Sequence, residues 1–172
     1  MIKIMRIFAL CLFAAAPAFG LPQAVRTELN NPAALGSGRF SFLFSDVYHI
    51  SLYTPEQAFN PAGAFALKID YLMPLKGAAI IERTIELIKR QAFADQTKLM
   101  QWQNTLAGFF PDVDKGVSLT GFKDKQGHTQ FYRNEQWIGA VADPEFSHYF
   151  FAIWLADDTS EPKLRRALLG LR

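Results

Sequence analysis

Apolar side chains change their spacing twice along this chain, and that change limits the fold more than any other feature. In Arg39-Phe40-Ser41-Phe42-Leu43-Phe44, and again at Phe65, Leu67, Ile69 and Tyr71, they recur at every second residue, the period of a strand with one buried face. From Ala78 to Phe93 the period lengthens. Ile81, Ile85, Ile88 and Ala92 form one stripe with Glu82, Arg83, Glu86, Lys89 and Arg90 around it, which predicts an amphipathic helix. Beyond residue 117 the period returns to that of strands. Helices grouped between and after strands imply an α+β domain in which helices cover one face of a mostly antiparallel sheet.

The remaining elements follow from local signals. Val47 to Tyr53 pairs with the first strand across an expected Ser45-Asp46 turn, and Thr54-Pro55 stops it before a short helical turn and loop reaching Gly63. A second helix is expected from Asp95 to Gly108 on the spacing of Leu99, Trp102 and Leu106, ended by Phe110-Pro111-Asp112. Val117 to Phe122, His128 to Arg133 and Gln136 to Val141 read as an antiparallel meander with turns at Lys125-Gln126-Gly127 and Asn134-Glu135. Asp143 is an N-cap with Pro144 in the first turn, and Phe146, Tyr149, Phe150, Ile153 and Trp154 supply the stripe. A last helix runs from about Ser160 to a cap at Gly170, and the residues from Leu21 to Leu35 read as an extended lead-in. Strand order does not follow from any of this.

Residues 1–20 stand apart. Lys3 and Arg6 precede an apolar run from Ile7 to Ala16 that ends in Pro17-Ala18-Phe19-Gly20, the pattern of a secretory signal peptide cut near Gly20, with a later cut near Ala24 as the alternative. The run is too short for a stable membrane anchor. The expectation is therefore a signal peptide over 1–20, one domain over 21–172, and a periplasmic or secreted product. The single cysteine, Cys11, leaves with the signal, so neither a disulfide nor a cysteine-type zinc site is available. Two of the 18 basic residues and none of the 16 acidic ones leave as well, so 16 of each sign remain and no basic patch speaks for nucleic acid.

No cofactor or metal is expected. His49, His128 and His148 are scattered, Asp112 and Asp114 are too few for calcium, and no nucleophile elbow, phosphate loop or dinucleotide fingerprint occurs. Phe40, Phe42, Phe44, Trp102, Phe150 and Trp154 line a pocket or simply fill the core. Arg39, flanked by apolar residues, needs an anionic partner, which is a ligand carboxylate or a side chain such as Asp46 or Asp70.

Several motifs in order resemble the bacterial, exported branch of the chalcone isomerase-like family: Gly36-Ser37-Gly38-Arg39, Val47-Tyr48-His49-Ile50-Ser51-Leu52-Tyr53, Tyr71-Leu72 before the helix after Gly77, Phe110-Pro111-Asp112-Val113 with Gly116, and Ile153-Trp154-Leu155 with Thr159-Ser160-Glu161-Pro162. The resemblance implies an open-faced β-sandwich, a large antiparallel sheet covered by a layer of helices. It maps the plant enzymes' arginine to Arg39 and their threonine to Tyr48. Their tyrosine and asparagine map to Ile80 and Leu87, and a threonine near the C-terminal helix maps to Ile153. Hydrocarbon at 80 and 87 removes the donors that would stabilise an enolate, so the resemblance points away from catalysis. It points instead to the fatty-acid-binding members, in which an arginine and a tyrosine hold a carboxylate, here Arg39 and Tyr48. The expected ligand is a fatty acid or similar apolar carboxylate. The alternatives are a protein-interaction module with a filled cleft and an isomerase on an unknown bacterial substrate. An open pocket, a packed interior with an exposed apolar patch, or a converging donor network would separate the three.

Overall fold

The structure is a computed structural model that describes residues 20–171. The expected signal peptide therefore lies, but for Gly20, outside the described residues. Strands β1 (Ala34–Phe42), β2 (Ser45–Tyr53), β3 (Phe65–Tyr71), β4 (Ser118–Lys123), β5 (Thr129–Arg133) and β6 (Gln136–Val141) form one antiparallel sheet in sequential order. Helices α2 (Gly77–Arg90) and α3 (Gln96–Ala107) interrupt the meander between β3 and β4, and α4 (Pro144–Leu155) and α5 (Pro162–Leu168) follow it. The architecture is the α+β open sheet under a helical layer that the periodicities imply.

The main core lies between the sheet and α2, α3 and α4. Ile50, Leu52, Phe65, Leu67 and Leu119 from the strands meet Ile81, Ile85, Ile88, Trp102, Phe146 and Phe150 from the helices. The opposite face is covered by α1 (Gln23–Glu28), where the lead-in was expected to be extended. Leu21, Val25 and Leu29, four residues apart, form a short helical stripe that packs on Ala66, Phe122 and Tyr132, and burying that stripe is what coils the segment.

Two other details differ from the sequence reading. The β1–β2 turn is Leu43-Phe44, not Ser45-Asp46, because Phe40 pairs with Tyr48 and stacks on its ring at 5.0 Å, which fixes the register. Residues 54–64 contain bends and a turn but no helix.

The helices are pinned at defined points. Asp143 caps α4, accepting from Glu145 N at 2.9 Å, and accepts from Trp102 Nε1 of α3 at 3.0 Å. Asp112 accepts from Gly77 N at 3.0 Å and pairs with Lys76 Nζ at 2.7 Å, so the Phe110–Asp112 loop holds the start of α2. At the edge of the sheet α5 presses on β1. A Cβ at Gly36 would stand 2.1 Å from the Ala167 carbonyl oxygen, which gives the Gly36-Ser37-Gly38 step a packing reason.

Candidate functional site

A cavity of about 230 Å³ lies between the sheet and helices α2 and α4. Ile69, Leu119, Phe131, Phe150 and Ile153 form its apolar body, and Ile80 and Leu87 close it from α2. Its strand wall runs from Phe40 on β1 to Phe131 on β5, four strand spacings or about 19 Å.

Its polar groups are few. Trp154 Nε1 donates to Tyr48 Oη at 3.0 Å, which leaves the tyrosine's own proton free to point at a ligand. Burial pushes the Tyr48 hydroxyl up to about 12, against the lowering effect of the Trp154 bond, so it remains a neutral donor. Tyr71 stands edge-on to Tyr48 at 6.2 Å, its hydroxyl also held neutral by burial and without a hydrogen-bond partner among the described residues. Arg83 and Ser160, both exposed, and half-buried Glu161 are the polar lining residues at the rim. The charges of Arg83 and Glu161 both reach Tyr48, the first stabilising its ionised form and the second opposing it.

Of the residues singled out from sequence, Tyr48, Ile80, Leu87 and Ile153 meet around this one cavity. Arg39 does not. It pairs with His49 on the ladder, one residue out of phase with Phe40 and Tyr48, so its side chain leaves the other face of the sheet. There it binds Asp46 at 2.7 Å, both side chains well exposed, and the Ser41 hydroxyl and this guanidinium hold the Asp46 carboxyl below its usual range. Asp46 is thus the anionic partner, and the Arg39–Tyr48 pairing expected for a carboxylate is replaced by a face-to-face separation across the sheet.

The arginine of the cavity is Arg83, which the sequence reading places only among the charged residues around the apolar stripe of the helix. A signal existed: 83 lies three residues after 80 and four before 87, so the three share one helix face. Its present partner is Glu86, at 2.7 Å and solvent-exposed, a pairing that a ligand can displace at small cost. Among the pocket aromatics, Phe40, Phe150 and Trp154 line the cavity, Trp102 lies in the core, and Phe42 and Phe44 are exposed. No cluster able to hold a metal ion occurs among the described residues.

A family model described as chalcone isomerase-like matches residues 20–170. Among solved structures, the crystal structure of a fatty-acid binding protein from Arabidopsis thaliana superposes with a TM-score of 0.63 at 14% identity, covering 80% of this chain and 86% of that one. No curated protein matches the sequence.

Proposed function

Because the chain belongs to the chalcone isomerase-like family, we propose that it is a binding protein for a small apolar carboxylate such as a fatty acid, without catalysis. The observation that carries this reading is the cavity: a hydrocarbon-lined space whose donors gather at one end, where Tyr48 offers a neutral O–H and Arg83 a positive charge. The tail lies against Leu119, Phe131 and Phe150, and the head takes Arg83 from Glu86. The likeness in fold to a fatty-acid binding protein supports the same reading. Ile80 and Leu87 supply hydrocarbon where chalcone cyclisation would need donors. An open cavity favours this reading over an interaction module with a filled cleft.

The volume sets the size of the ligand. At about 30 Å³ per water-sized group, the space takes a chain of about eight carbons with the two carboxylate oxygens at its open end, a medium-length acid. We propose further that the protein belongs to an exported bacterial branch and acts in the periplasm or outside the cell after cleavage near Gly20. The mass of the protein recovered from a periplasmic extract tests this, a product starting at Met1 overturning it.

Calorimetric titration with octanoate and octanol tests the binding reading. The wild type takes up both, Arg83→Leu weakens octanoate about tenfold and leaves octanol unchanged, and Arg39→Ala changes neither. Absence of uptake of acids of any length between about six and ten carbons would sink the reading.

A further inference from the structure

The β1–β2 hairpin ends in three large apolar side chains that are mostly uncovered among the described residues: Phe42, Leu43 and Phe44 are 62%, 76% and 107% exposed. Both turn residues have positive φ, 45° at Leu43 and 68° at Phe44, the two-residue I′ geometry that favours Asn-Gly. Bulky residues are strained there, and local stability does not explain their presence.

The tip is joined to the cavity. Phe42 lies two residues beyond Phe40 on the same strand, and Arg39 and Ser41 both bond Asp46 on the other face, so across the register shift at Phe40/Ser41 Phe40 and Phe42 still project to one face. Phe40 lines the cavity and stacks on Tyr48. An apolar track therefore runs from the exposed point of the hairpin to the donor end of the cavity. The hairpin itself places no charge on it: Arg39 and Asp46 pair with each other on the opposite face of the strands.

We propose that this hairpin tip is a membrane-docking wedge that enters the surface of a lipid bilayer and connects the acyl region to the cavity. The purpose assigned to it rests on the apolar-ligand reading of the cavity; the wedge itself does not. A convex point of three apolar side chains suits a deformable hydrocarbon phase, and the neutral hairpin selects apolar insertion rather than attraction to anionic headgroups.

The test is co-sedimentation of the purified protein, its N-terminal residue determined, with phosphatidylcholine vesicles. The variant Leu43→Asn/Phe44→Gly gives the turn the residues its backbone prefers, so it folds at least as well as the wild type and loss of binding cannot be assigned to unfolding. Met100→Ser, which removes an exposed side chain on α3, serves as the control. Wild type and control partition onto neutral vesicles to the same extent at low and high salt, and the turn variant loses about tenfold or more while binding octanoate as before. The proposal fails if the turn variant still sediments. It also fails if binding requires anionic lipid and vanishes at high salt, or if the wild type ignores vesicles and instead dimerises through the tip. Vesicle binding without octanoate uptake would leave the wedge standing and remove the cavity reading, which separates the two.

Discussion

Arg83, Tyr48 and Glu161 decide the chemistry at the donor end of the cavity, and they do not act in the same direction. The Glu161 carboxylate is close enough to oppose ionisation of Tyr48, so it also opposes an incoming carboxylate. Glu161→Gln should therefore tighten octanoate binding by about two- to fivefold at low salt, and the gain should shrink at high salt. Tyr48 makes a second prediction. Its folded value of about 12 lies above the ordinary value near 10, so the neutral form is favoured by folding. The corresponding stability is fully present below about pH 10 and is lost as pH rises through about 12. Denaturation midpoints between those values should fall less steeply for Tyr48→Phe, with Tyr71, Tyr53 and Tyr132, whose hydroxyls burial also pushes up, contributing to the slope that remains.

Asp143 belongs to the element scale, since one carboxylate both starts α4 and ties it to α3. Burial pushes its carboxyl up, but the bonds from Trp102 and Glu145 N and the nearby Lys98 outweigh this and hold it below its usual range. A depressed acid contributes stability above its ordinary value near 3.9, and that contribution disappears as pH falls through the lower folded value. Asp143→Ala should cost about 2 kcal/mol at neutral pH from the lost cap and the orphaned indole N–H, and should flatten the acid limb of the urea midpoint. This cap was readable from Asp143-Pro144 because its determinants are adjacent in the chain. The β1–β2 turn was not: polar Ser45-Asp46 looked the better turn, and only the Phe40–Tyr48 stack, a contact across the ladder, moved it to Leu43-Phe44. Likewise α1 was read as extended because a six-residue segment has too short a stripe to stand out until its partners Ala66 and Phe122 are in place.

At the scale of the whole molecule, a ligand that binds only the folded state raises its stability. Octanoate at about a hundred times its dissociation constant should add about 2.7 kcal/mol, hence raise Tm by about 5–10 °C. A series of acids should show the increment growing with each methylene up to about eight carbons and then levelling off, as the 230 Å³ fills. By itself the sequence determined the six strands and the four helices α2 to α5, α1 and the 54–64 loop excepted, where α4 begins, and the α+β class, because these signals act between residues a few positions apart. The position of the cavity residues on α2 came from resemblance, and their convergence with Tyr48 and Trp154 needed the packing of α2 and α4 on the sheet. Tertiary structure alone decided the strand order and which arginine serves the cavity. Side chains on a strand alternate between faces, so one residue of phase sends Arg39 to solvent and Phe40 inward, and the turn of α2 brings Arg83 to the place that Arg39 was expected to fill.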